Sequence, residues 1–174
     1  MTNATLATWN VADESSALET MLACCGSRRW AAAMVALRPI ASIEALSDAV
    51  DRVWSAMQEA DWLEAFACHP RIGERKSAVA GAHVSSKSTA WSRQEQSSAS
   101  ATNELILAEL AEGNRLYEQR FGFTYIVCAT GKSAVEMLTI LKRRLERNRQ
   151  AELHEAAEQQ RQIMQIRLGK WLVE

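Results

Sequence analysis

Proline and glycine are scarce in this chain. Two prolines, Pro39 and Pro70, and seven glycines punctuate 174 residues. An all-β domain of this length needs far more turn residues, so long helices are the default for a sequence rich in Ala, Leu, Glu, Gln and Arg. Cysteine is sparse as well. Cys24, Cys25, Cys68 and Cys128 have neither the density of a disulfide framework nor the spacing of a zinc site. Reduced, partly buried cysteines in a cytoplasmic protein are therefore expected. No charge of either sign dominates: 20 Lys and Arg against 21 Asp and Glu. That excludes a general nucleic-acid binder, whose footprint is basic, and an acidic disordered chain. No apolar run approaches the roughly 18 residues of a membrane-spanning helix. Met1-Thr2-Asn3-Ala4 lacks the basic residues of a secretory signal, and Lys170-Trp171-Leu172-Val173-Glu174 is not a peroxisomal Ser-Lys-Leu address.

Three chemical motifs are missing too. There is no glycine-rich phosphate loop, no His-Glu-x-x-His or paired Cys-x-x-Cys for a metal, and no Gly-x-Ser-x-Gly elbow for an acyl-transfer serine. No metal site and no cofactor site are predicted.

What is present reads as one helical domain over residues 1–174, with 48% apolar and 24% charged residues. Ser16-Ala17-Leu18-Glu19 has the pattern of a capping box, with Gly26 as the stop. An alanine-rich apolar helix covers Trp30 to Leu37. A long amphipathic stretch runs from Ser42 to about Ala67, with Ile43, Leu46, Val50, Val53, Trp54, Met57 and Ala60 on one face. Pro70 closes it. Residues 73–91 are polar and without period, a length of connection that is usually functional or disordered. Ser92-Arg93-Gln94-Glu95 opens another helix, running to about Phe121 and weakened near Gly113. Gly122 to Thr130 is β-branched and aromatic but has no partner run, so a buried extended segment is predicted there rather than a sheet. Ser133-Ala134-Val135-Glu136 opens a helix with Met137, Leu138, Leu141 and Leu145 inward and Lys142, Arg143, Arg144 and Glu146 outward. A last helix covers about Gln150 to Leu168. The three capping boxes and the 3.6-residue period predict an all-α domain of about seven or eight helices without a significant sheet.

Few residues are placed to carry chemistry. His69 stands at the end of the long amphipathic stretch, before Pro70. It is either a helix-end cap that meets the macrodipole or an imidazole held at the mouth of a site, where it can exchange a proton near neutral pH. Ser92 and Glu95 form a capping box in the bland reading. In the functional one, a helix N-terminus suits an anion and Glu95 orients a histidine from another helix. Arg167 sits among apolar residues and either snorkels or binds a carboxylate. The Arg115–Phe123 aromatic cluster reads as core, and His83 and His154 as solvated residues.

His69-Pro70-Arg71-Ile72-Gly73, then Ser92-x-x-Glu95-Gln96, then Arg120-Phe121-Gly122-Phe123 leading to Tyr125-Ile126-Val127, then Ile166-Arg167-Leu168, occur in that order. In this ordered set the chain resembles the 2-oxo-4-hydroxy-4-carboxy-5-ureidoimidazoline (OHCU) decarboxylases, over nearly all its length. The resemblance implies an all-helical homodimer that needs no metal and no organic cofactor, acts in urate breakdown and releases (S)-allantoin and carbon dioxide. It implies His69 and Glu95 as the catalytic pair. It implies Ser92, Gln96, the backbone of Tyr125, Ile126 and Val127, and Arg167 as the substrate-binding set, with Pro70 walling the pocket. The connection between His69 and Ser92 is a few residues longer than the family pattern, and Thr124-Tyr125 stands where that pattern has proline and phenylalanine. The loop over 74–91 is a candidate lid.

The implied chemistry suits such a residue set. Loss of carbon dioxide leaves an electron pair that the substrate's own ring C=N accepts, so no external electron sink is required. Two other readings stay open at this level. One is a helical interaction module in which every motif is a cap or core residue. The other is an enzyme of the same fold acting on another ureido or imidazoline substrate.

Overall fold

A computed structural model of the chain describes residues 3–73, 87, 90, 91 and 104–174. Among these there is no strand; eight helices have defined bounds, α1 (Ala4–Val11), α2 (Glu14–Cys24), α3 (Arg28–Ala36), α4 (Ile43–Ser55), α5 (Glu59–Ala67), α6 (Glu104–Phe121), α7 (Ala134–Arg144) and α8 (Arg149–Trp171), and Lys87, Ala90 and Trp91 are helical as well. They fall into two compact units. One holds the chain up to Ala65 together with Arg161–Glu174, the other Phe66–Gln160.

In the first unit, α1 had no sequence signature; Asn3 caps it by accepting from the Leu6 N–H at 2.9 Å. Its Trp9 packs edge-on to Trp171 with ring centroids 6.0 Å apart and donates its indole N–H to the Ala17 carbonyl at 3.1 Å. The box expected at Ser16 is displaced. Asp13 is the true N-cap of α2, because its carboxylate accepts both the N–H and the hydroxyl of Ser16. The stretch expected as one helix from Ser42 to Ala67 is two. Tight bonds from Ala56 N–H to the Val53 carbonyl and from Met57 N–H to the Trp54 carbonyl end α4. The Asp61 carboxylate then takes the Gln58 N–H at 2.9 Å and starts α5. The break turns Ala60 out to solvent while Leu46, Val50, Trp54 and Met57 are buried; Ile43, at the first position of α4, is exposed as well. Arg161 and Gln165 of α8 hold α4 through Asp51, and Gln165 also reaches Ser47.

In the second unit, α6 passes Gly113 without interruption. The glycine is there for packing: a Cβ at this position would lie 2.5 Å from Cδ2 of Leu141 on α7. The capping box at Ser133 and Glu136 forms as expected. Residues 124–129 run as an extended segment unpaired by any strand among the described residues, also as expected, and all of them but Thr124 are buried. Tyr117, Phe121, Phe123, Tyr125 and Phe66 share their ring contacts in this unit.

Arg144 corrects the outward face assigned to α7. It is 1% exposed. Its Nη1 donates to the Ile126 carbonyl at 2.6 Å, and its Nε meets the Glu152 carboxylate at 2.5 Å. Tyr117 donates its hydroxyl to that carboxylate oxygen at 2.5 Å. A cation buried this deeply is tolerated because each side of it has an acceptor. Burial pushes the Tyr117 and Tyr125 phenols well above their ordinary value, against the pull of the Arg144 charge.

Candidate functional site

His69 follows the last turn of α5, where its N–H still bonds to the Phe66 carbonyl at 3.1 Å. Pro70 cannot continue the helix, and the chain leaves it as an irregular strap. Arg71 and Ile72 of that strap are tied to α6, and Gly73 lies close against it. Arg71 grips Glu118 of α6 through two parallel bonds of 2.6 and 2.8 Å. Ile72 is buried, and its carbonyl accepts from Asn114 Nδ2 of α6 at 2.7 Å. Gly73 has φ +89°, and a Cβ there would come within 3.1 Å of the Leu107 carbonyl oxygen. Only glycine meets both conditions without strain.

The imidazole itself meets α8. His69 Nε2 lies 2.6 Å from Gln160 Oε1. Gln160 is fully buried, and its Nε2 has no hydrogen-bond partner among the described residues. The preceding residue, Gln159, takes the Cys128 N–H at 2.8 Å with its own carbonyl oxygen. Two successive glutamines of one helix thus hold the imidazole and the extended segment. That segment is further fixed by Tyr125, whose hydroxyl donates to the Met137 carbonyl at 3.1 Å, and by Lys132, which donates to the Cys128 carbonyl at 2.8 Å.

Of the residues singled out in the sequence, His69 and Pro70 stand half-buried at the start of the strap. Tyr125, Ile126 and Val127 are buried in the extended segment of the same unit. Arg167 is 2% exposed on α8 in the other unit, while the neighbouring Ile166 is only half-buried. The arginine therefore takes the inward position and does not snorkel. Ser92, Glu95, Gln96, His83 and the proposed lid lie outside the described residues, apart from the isolated positions 87, 90 and 91. Gln159, Gln160, Asn114 and Glu118 were not recognised as parts of the site. Their only sequence signal was polarity on otherwise core-facing helices, which a solvated face mimics.

A half-buried imidazole held by a buried carboxamide, beside a strap with fixed backbone, can give or take a proton in a defined direction. Among the described residues no group of three His, Cys, Asp or Glu side chains could hold a metal ion. No helix among them is long and apolar enough to cross a membrane.

Comparison with known proteins places the chain in one family. The family model for OHCU decarboxylase matches residues 10–169. The uric acid degradation bifunctional protein TTL of Arabidopsis thaliana is 40% identical over 148 residues, 84% of this chain and 44% of that protein. The uric acid degradation bifunctional protein of Bacillus sp. (strain TB-90) is 28% identical over 134 residues, 75% of this chain and 24% of that protein. The chain thus spans less than half the length of these curated relatives. A crystal structure of OHCU decarboxylase in the presence of (S)-allantoin superposes with a TM-score of 0.74 at 37% identity, covering 88% of this chain and 96% of that one. A structure of (S)-allantoin synthase shares the fold, with a TM-score of 0.69 at 16% identity over 95% of this chain and 53% of its own.

Proposed function

The chain belongs to the OHCU decarboxylase family, and from that premise we propose that it converts 2-oxo-4-hydroxy-4-carboxy-5-ureidoimidazoline to (S)-allantoin and carbon dioxide. The observation that carries the reading is His69: a proton-transfer group at a helix end, fixed at 2.6 Å by Gln160 and followed by a strap that α6 holds at Arg71 and Ile72.

The substrate carries a carboxylate and a hydroxyl on one ring carbon, next to a ring C=N. As the bond to the carboxylate breaks, carbon dioxide leaves and its electron pair forms a double bond between the two ring carbons. The ring nitrogen takes up the displaced pair and a proton. The hydroxyl then gives up its proton to become the ring carbonyl, and the adjacent carbon, which bears the ureido group, receives one. The protein must orient the ring, move these protons and deliver the last one to a single face. In this reading His69 exchanges the proton with its partner carboxylate Glu95. Ser92, Gln96 and the backbone of Tyr125, Ile126 and Val127 bind the ring and ureide. Pro70 walls the pocket, and Arg167 holds a carbonyl or carboxylate of the substrate. The same reading carries a cytoplasmic homodimer, which light scattering would check.

The test is to add the protein to freshly generated substrate and follow circular dichroism of the product. Uncatalysed protonation has no facial preference and gives racemic allantoin. Accumulation of the (S) enantiomer supports the proposal; racemic product at the uncatalysed rate rejects it.

A further inference from the structure

The His69–Gln160 pair has a second aspect that the reaction scheme leaves unused. A neutral imidazole has one N–H and one lone pair, and the partner of one nitrogen decides the role of the other. Here the partner of Nε2 is a carbonyl oxygen, so Nε2 carries the hydrogen and donates. The same carboxamide has a two-hydrogen donor, Nε2 of Gln160, which is buried and has no partner among the described residues. Buried donors are rarely left so, because an unmade hydrogen bond is costly in a medium that excludes water. Turning the carboxamide over does not remove the problem. It would set its nitrogen against the imidazole nitrogen and leave the carbonyl oxygen unpaired instead. Either way one polar atom of a fully buried residue, in contact with the candidate catalytic histidine, is short of a partner among the described residues.

We propose that Gln160 is a positioning residue of the active site, whose carbonyl holds His69 as the Nε2–H tautomer and whose amide nitrogen donates to an oxygen of the bound ureide. Proton exchange then falls to Nδ1 of His69. The unpaired donor is a place kept for the ligand, and a ring or ureido carbonyl of the substrate or product class supplies its acceptor. Gln159 strengthens the case. By fixing Cys128 it locks the neighbouring turn of α8 to the extended segment, so the carboxamide of Gln160 is presented from a braced helix.

The ligand clause rests on the proposed decarboxylase reading; the tautomer clause does not. Long-range ¹H–¹⁵N spectra of the wild-type protein should show His69 with a protonated Nε2 and an unprotonated Nδ1. Saturating (S)-allantoin should shift the side-chain amide signals of Gln160. Gln160→Met keeps the length and removes both polar atoms. It should give a mixed tautomer pattern and lower kcat about 10- to 100-fold, the range for partners that orient metal-bound histidines. Gln160→Glu keeps an acceptor for Nε2–H but loses the donor and adds charge beside an anionic substrate, so KM should rise more than kcat falls. A wild-type spectrum with the hydrogen on Nδ1 would overturn the tautomer clause without any variant. Amide signals of Gln160 unmoved by saturating (S)-allantoin would overturn the ligand clause. A folded Gln160→Met protein with an unchanged His69 pattern would overturn the positioning role, whatever its activity. Lack of decarboxylation by the wild type would remove the functional reading while leaving the tautomer result to be decided by the spectra.

Discussion

Arg71 and Glu118 meet as a fork, Nε to Oε1 at 2.6 Å and Nη2 to Oε2 at 2.8 Å. Arg71 is two residues beyond His69, so the pair ties the backbone leaving the imidazole to α6. The Arg71 side chain is 40% exposed, so water screens much of the attraction. Arg71→Ala or Glu118→Ala is expected to lower stability by about 0.2–1 kcal/mol, measured by urea unfolding. The deficit should shrink in about 1 M salt, where the screening length falls to about 3 Å. A salt-independent loss would mean that packing, not charge, holds the strap.

Gly113 and Leu141 test the closeness of α6 and α7. Gly113→Ala gains about 1 kcal/mol of helix propensity, but the new methyl lands 2.5 Å from Leu141 Cδ2 in the core. Overpacking typically costs about 1–3 kcal/mol, so the net expectation is a loss of about 1 kcal/mol. In a Leu141→Ala background the clash is gone, and the same Gly113→Ala change should become stabilising. Thermal unfolding of the four proteins of the cycle measures both signs.

The two tyrosines predict an alkaline limit. Tyr117 and Tyr125 are the only tyrosines of the chain, and burial raises both phenols above their ordinary value of about 10. A raised phenol contributes full stability below its unfolded pKa. Above pH of about 10 the unfolded chain ionises while the folded one does not, so stability falls with rising pH. Two such groups set a limiting slope of about 2.7 kcal/mol per pH unit. Absorbance near 295 nm should rise only as the far-ultraviolet circular dichroism is lost. A smooth phenolate titration in a fully helical protein would refute the burial argument.

His69→Asn keeps a polar group of similar reach and removes the titratable nitrogen. Loss of a general acid–base group typically lowers the rate by about 10²- to 10⁴-fold, with helical circular dichroism unchanged. A helix-end cap would behave otherwise, costing about 1 kcal/mol or less with turnover near normal. Initial rates of (S)-allantoin formation, taken beside a melting curve, separate the two.

Much of the fold was legible because it is written locally. The Ser133–Glu136 box, the stop at Pro70 and the strandless run within 122–130 depend on neighbours within one or two turns; they form as read, except that Gly122 and Thr130 at the ends of the run are exposed. The failures share one cause. Arg144 looked solvated because it follows Lys142 and Arg143, and its burial depends on Glu152 and on Tyr117, 27 residues upstream. The break at Ala56–Gln58 is made by two tight backbone bonds and the Asp61 cap, on a stretch whose apolar period continues through it. The site divides the same way. His69 announced itself by standing between a helix end and a proline, whereas Gln160 lies 91 residues away, in a helix rich in glutamine and glutamate. Nothing local distinguishes it from its solvated neighbours.

The strap after His69 has no helix or strand of its own; Asn114 and Glu118, one turn apart on α6, hold it from outside. This bears on transplantation. A designer who copied His69-Pro70-Arg71-Ile72-Gly73 into another helical scaffold would carry over the reactive side chain without the frame that aims it. The smallest portable unit is discontinuous: the five-residue strap, one face of α6, and the buried carboxamide of α8. For the same reason, a distant relative is better screened by asking whether asparagine and an acidic residue recur four apart on the helix facing its histidine than by the histidine-proline pair alone.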